Sequence, residues 1–147
     1  MRELKESTLD SNLFYKYYSF NKKAFARAPQ GKAEVKITRE LARILGCHTE
    51  VQAYYDLGRI DCLSQDWLIE AKYEGTTSEK AALGQLLLYS YSLNFKKNLG
   101  LALIGTSGRS TPGILKFCQD KAITIFYYNL NTLRWGVYYD GTTKIKI

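Results

Sequence analysis

Two carboxylates and an ammonium, Asp61, Glu70 and Lys72, carry the chemistry of the stretch 50–72, which reads EVQAYYDLGRIDCLSQDWLIEAK. Two short apolar runs, 58–63 and 67–72, flank the polar turn Ser64-Gln65-Asp66, the pattern of a β-hairpin. Asp61 interrupts the first run. Glu70 and Lys72 lie two residues apart on the second, so a strand points them to one face. Adjacent half-buried strands have no use for two carboxylates and a lysine on one surface unless these act together. Desolvated like charges repel, and an unpaired one costs several kcal/mol or shifts its pKa to escape. A divalent cation resolves the conflict by binding the carboxylates, and it leaves the lysine to hold or polarise a water. That is the chemistry of Mg²⁺-dependent phosphodiester cleavage.

The flanking elements must position these groups. Ile37, Leu41, Ile44 and Leu45 recur at helical spacing, which predicts a helix over 32–46 ended by Gly46. Glu34 falls in the middle of its apolar stripe and Glu40 at its edge. A first-turn position, where a negative charge suits the helix dipole, offers Glu34 a second explanation. Residues 48–55 read as a strand, with Glu50 able to approach the carboxylates, although a solvated charge is the plainer expectation for both Glu40 and Glu50. Thr76 and Glu79 are spaced as a capping box opening a helix to about Leu93. Its expected core side is Ala82, Leu83, Leu86, Leu87 and Ser90, and Gln85 and Tyr89, one turn apart, share a face. The apolar run 99–105 reads as a central strand buried on both sides. After it come a loop over 106–113 bearing Arg109, a short helix over 114–121, and strands over 122–128 and 133–139. The sum is an α/β fold, a single-domain mixed β-sheet flanked by helices.

The chain has 147 residues and a formal charge of +7, enough for one domain with a real core. Its charge is unevenly spread: ten Lys/Arg against five acids over 1–43, two against six over 44–75, and nine against three over 76–147. An acidic centre between basic flanks suits a cation site on a surface that binds a polyanion. Lys36, Lys80, Lys96, Lys97, Arg109 and the ring of Tyr89 are the candidates for contacting nucleic acid. Residues 1–30 alternate aromatics (Phe14, Tyr15, Tyr17, Tyr18, Phe20) with Lys16, Lys22, Lys23 and Arg27, which reads as an arm or helix packing its rings, ahead of a domain over 31–147. No apolar run approaches a membrane span, so no membrane partner is expected. Three scattered cysteines, Cys47, Cys62 and Cys118, point to reduced thiols and a cytoplasmic setting. With the one histidine, His48, they match no zinc-site spacing, and they supply no nucleophile–base pair.

Asp61, eight residues, then Glu70-x-Lys72 resembles the PD-(D/E)xK nuclease signature, with Ile60 where the usual proline would stand. The expected order of elements over 31–105, helix, three strands, helix, strand, resembles the restriction-endonuclease-like core of that superfamily. ALGQLLLYSY, with Gln85 and Tyr89, is similar to the glutamine–tyrosine motif of its RecB-like members. The resemblance implies a Mg²⁺ site, with Mn²⁺ able to substitute, held by Asp61, Glu70 and the Ala71 carbonyl. It implies that Lys72 orients or helps to deprotonate the attacking water. Glu34 would be the helix-borne acid completing the metal shell or handling a proton, Gln85 would touch the metal-bound water or the substrate strand, and Tyr89 would support it. The expected activity is a DNA endonuclease of homing, restriction or junction-resolving type, acting as a homodimer or higher oligomer. The alternatives are a RecB-like exonuclease or nickase, and a nucleic-acid-binding module that keeps the fold without catalysis.

Overall fold

The computed structural model describes residues 2–3, 30–52 and 58–142. Seven strands form one mixed sheet: β1 (Arg2–Glu3), β2 (His48–Gln52), β3 (Arg59–Leu63), β4 (Trp67–Tyr73), β5 (Asn98–Gly105), β6 (Thr124–Asn129) and β7 (Arg134–Tyr139). Their order across the sheet is β1-β7-β6-β5-β4-β3-β2. β4, β5 and β6 run parallel, and every other pairing is antiparallel. The helices are α1 (Gln30–Leu45), α2 (Thr76–Ser92) and α3 (Pro112–Lys121). The α/β class and the mixed sheet flanked by helices are thus as the sequence implies. Among the described residues no helix is long and apolar enough to cross a membrane. The aromatic–basic segment 14–27 lies outside the described residues, as do Ala53 to Leu57 at the end of the expected strand 48–55.

Two apolar layers hold the helices to the sheet. On one face, Ile37, Leu41 and Ile44 of α1 pack on Ile69, Ala71, Ala102, Ile104, Phe126 and Trp135, and the Trp135 indole donates to the Ile37 carbonyl at 3.0 Å. On the other, Ala82, Leu83, Leu86 and Tyr89 of α2 and Ile114 and Cys118 of α3 pack on Leu68, Leu101, Leu103, Ile125 and Tyr127. β5 is buried on both faces from Gly100 to Gly105, as expected of a central strand. Cys62 and Cys118 are core residues, and Cys47 is half-buried against the first layer.

Several expectations need correction. Leu87 does not belong to the core side of α2: it is 40% exposed, and Tyr89 fills the interior in its place. The run Leu86-Leu87-Leu88 is apolar all round, so periodicity alone could not choose its buried member. Thr76 is the first residue of α2 rather than its cap, and the cap position falls to Gly75 with no side-chain cap bond. α1 begins at Gln30, so Glu34 lies beyond the first turn and the dipole explanation for it lapses. α3 begins at Pro112, since a proline suits a helix's first position, where its missing N–H costs nothing.

Two carboxylates fasten the end of β4 to the loop after β5. Glu79 is buried and accepts from Gly75 N at 2.9 Å, Ser110 Oγ at 2.9 Å, and Thr111 N and Oγ1, each at 3.2 Å. Glu74 accepts from Thr106 N at 2.9 Å, Ser107 N at 3.2 Å, the Ser107 hydroxyl, and the Tyr127 hydroxyl at 2.7 Å. Those donors hold the Glu74 carboxyl below its ordinary range despite the opposing effect of burial. Gly105 makes the arrangement possible, because a Cβ there would overlap the Glu74 carboxylate. β4 carries Glu70 and Lys72, and α2 carries Gln85 and Tyr89, so this knot fixes the strand-to-helix junction that joins them. Glu79→Ala should lower unfolding stability by about 2–4 kcal/mol, because it strands buried donors as well as removing bonds to a charge. Urea denaturation of the variant beside Glu79→Gln, which keeps part of the bonding and loses less, measures it.

Candidate active site

β3 and β4 pair only at Cys62–Ile69 and Leu63–Leu68. The turn that sets this register is closed by Ser64 N on the Trp67 carbonyl at 2.8 Å and by Ser64 Oγ, which accepts from Trp67 N at 3.0 Å. One residue further from the turn, Asp61 and Glu70 would face each other, and there the strands part. Side chains take over from the ladder: Asp61 Oδ2 accepts from Ala71 N at 2.8 Å, and Glu70 Oε1 accepts from Asp61 N at 3.2 Å. β3 also rolls over at this point, since Ile60 packs in the α2 layer and Cys62 in the α1 layer. Asp61 therefore stands at a break in the sheet where both faces are within reach.

The break brings together most of the residues singled out from the sequence. Glu70 is 2% exposed. Burial first, then the charge of Asp61 and a hydrogen bond to its side chain, push its carboxyl up to about 9, against the opposing pull of the Asp61 N–H and Lys72. Glu34 is raised by burial and by Asp61, and Lys72 pulls it back. Tyr89 is raised by burial and then by the charges of Glu70 and Asp61, so its phenol lies in the field of the pair. Gln85 is half-buried, and its Oε1 is buried without a hydrogen-bond partner. Glu34, Asp61, Glu50, Thr38, Thr49 and Val35 line a cleft of about 170 Å³ beside the break.

The helix acid is therefore Glu34. Glu40 is not the solvated charge expected of it: it is buried, with Oε1 3.0 Å from the Arg43 guanidinium. Its carboxyl is raised by burial, against the pull of Arg43, and it does not line the cleft. The i+3 guanidinium compensates a position that the apolar stripe left at its edge. Glu50 is exposed, as expected, but lines the cleft at a φ of 51°, a left-handed conformation uncommon for a residue with a Cβ.

The other cationic candidates are dispersed. Lys36 is half-buried on α1, and Lys80 is exposed in the first turn of α2. Lys96 and Lys97 precede β5, and Arg109 follows it at the opposite end of the sheet, so the eight-residue strand puts roughly 25 Å between them. Sequence reasoning passed over Glu74 and the structural weight of Glu79. The acids flanking Gly75 at a strand-to-helix junction were the available signal, but their partners lie some thirty residues away, at Thr106 to Thr111.

Among the described residues no group of three His, Cys, Asp or Glu side chains converges on one point that could hold a metal ion. Asp61 and Glu70 are a pair of hard oxygen donors, one buried against the charge of the other, and Gln85 adds an unused buried acceptor. That set fits a cation that takes few protein ligands and keeps several waters, as Mg²⁺ does. No protein-family model matches the chain, and no curated protein or solved structure does either.

The raised carboxyl has a measurable consequence in metal-free buffer. Unfolded, Glu70 ionises near the ordinary 4.5, whereas folded it keeps its proton until about 9. Between those values the folded protein binds a proton that the unfolded chain lacks, so this group makes stability fall as pH rises through the window. Glu70→Gln should flatten that decline and melt higher than the wild type at pH 8, by about 3 °C for each kcal/mol recovered. Melting temperatures across that pH range provide the check.

Proposed function

We propose that the protein is a Mg²⁺-dependent nuclease of the PD-(D/E)xK kind, hydrolysing DNA phosphodiester bonds at the break between β3 and β4. The observation that carries this reading is the mutual bonding of Asp61 and Glu70 across the parted strands, with Lys72 two residues beyond Glu70 and Glu34 brought in from α1. Asp61 and Glu70, with the Ala71 carbonyl, would hold the cation. When bound, Mg²⁺ lowers the pKa of a water and offsets the negative charge that builds on the phosphate in the transition state.

The chain's own groups supply the remainder. Lys72 makes no ion pair among the described residues, so its ammonium is available to orient the attacking water and to balance charge. Glu34, raised by burial, is suited to accepting or relaying a proton near neutral pH. Gln85 Oε1 offers an acceptor to a water or to the substrate strand, and Tyr89 supports the strand end at Gly58, where its hydroxyl would lie 3.4 Å from an added Cβ. α1 and α2 cover the two faces of the break, which limits bulk water around the reacting groups.

Endonuclease action at a particular sequence or DNA structure, of homing, restriction or junction-resolving type, is the favoured form. One such site per chain then implies a homodimer or higher assembly for a double-strand cut. The positions of Gln85 and Tyr89 beside the pair favour a RecB-like exonuclease or nickase as the second reading.

Cleavage of supercoiled plasmid and of a synthetic four-way junction, with Mg²⁺ and with EDTA, tests the proposal. Wild type should cut only with the metal, and Mn²⁺ should substitute. Asp61→Ala should abolish cutting while leaving DNA binding intact. Lys72→Ala should slow the reaction on the order of 10²–10³-fold, the usual loss when one charge-stabilising group is removed. Glu34→Gln should cost about 10–100-fold. Discrete products indicate an endonuclease and progressive shortening an exonuclease. Tight binding with no cleavage of any substrate would leave a binding module.

A further inference from the structure

Two cations face each other across the mouth of the break. The register of Cys62–Ile69 and Leu63–Leu68, carried on past Asp61 and Glu70, sets Arg59 opposite Lys72. Arg59 is exposed and Lys72 half-buried, and neither has a salt-bridge partner among the described residues. Like charges opposed across two strands destabilise a sheet, so this placement is a cost to the folded protein on its own. An anion lying between them would remove it.

The backbone that presents Arg59 is held firmly. Arg59 pairs with Gln52 of β2, and the Gln52 amide donates to the Gly58 carbonyl at 3.2 Å. Gly58 has a φ of 93° and passes against the Tyr89 hydroxyl, so a side chain there would be both strained and crowded. Arg59 is thus fixed on a rigid strand end, two residues and roughly 6.6 Å from Asp61, a separation comparable to one nucleotide step. A guanidinium suits a phosphate better than an ammonium does, because its planar fork can donate two bonds to two oxygens.

We propose that Arg59 binds the backbone phosphate adjacent to the one attacked, and so sets the register of the DNA strand against Asp61 and Glu70. The inference rests on the nuclease reading for its substrate and adds a residue that reading does not use. It makes Arg59 a substrate-binding group, whereas Lys72, further into the break, serves the reacting phosphate.

The test is the salt dependence of binding to a short fluorescein-labelled DNA duplex and its single strand, with Ca²⁺ in place of Mg²⁺, measured by anisotropy. Arg59→Ala should weaken binding roughly tenfold and lower the log–log salt slope by about one, the signature of one lost phosphate contact. Arg59→Lys should keep the slope and lose part of the affinity. An unchanged melting temperature excludes a folding defect, since the side chain is exposed. Wild-type affinity and slope in Arg59→Ala would overturn the inference, with the nuclease reading untouched. No binding by the wild type to either DNA would overturn both. The expected loss in Arg59→Ala, together with a wild type that never cuts in Mg²⁺, would uphold the contact and remove only the catalytic reading.

Discussion

The structure turns on the parting of β3 and β4. Two ladder pairs next to the turn hold the strands together, and beyond them the Asp61 and Glu70 carboxylates stand in for the missing strand-to-strand bonds by accepting the Ala71 and Asp61 backbone N–H groups. A break in a sheet ordinarily leaves backbone donors unsatisfied, which is costly when buried. Here the same two carboxylates that could serve a cation satisfy those donors, so the fold keeps the opening without an orphaned N–H at its centre. The cost appears elsewhere, in a glutamate buried against its neighbour's charge and raised to about 9.

The remaining elements hold that opening in place. α1 brings Glu34 to one side and α2 brings Gln85 and Tyr89 to the other, and each helix is set by its own apolar layer. The Glu74 and Glu79 bonds tie the end of β4, the start of α2 and the loop after β5 into one unit, remote from the break but continuous with the strand that carries Glu70 and Lys72. The chain's charge distribution agrees with this division: the acids of the middle third form the break and the knot, while lysines and arginines dominate on either side.

Local patterns made the hairpin, α1 and the ends of α2 readable, because a period-two alternation, a three-residue polar turn and a 3.6-residue stripe are each decided by near neighbours in sequence. Asp61, Glu70 and Lys72 were legible for the same reason, as charges that interrupt otherwise regular apolar strands. What escaped was decided at long range. The burial of Glu79 depends on Ser110 and Thr111, and that of Glu74 on Tyr127, 53 positions away. Two-residue β1 pairs with β7 at the far end of the chain, and no local signal announces it. Leu87 was misplaced because three consecutive leucines offer no preferred face. Glu40 was misplaced because burial came with its own i+3 arginine. Arg59 looked like an ordinary surface charge until the register set it opposite Lys72.

Calorimetric titration of Mn²⁺ into the wild type at pH 7.5, repeated in buffers of different ionisation enthalpy, tests most directly whether the Asp61–Glu70 pair is a cation site. Binding must expel the Glu70 proton, so the account predicts release of about one proton per ion, and loss of the binding in Asp61→Ala and Glu70→Gln. Binding of equal strength in those variants, or no binding by the wild type, would contradict it.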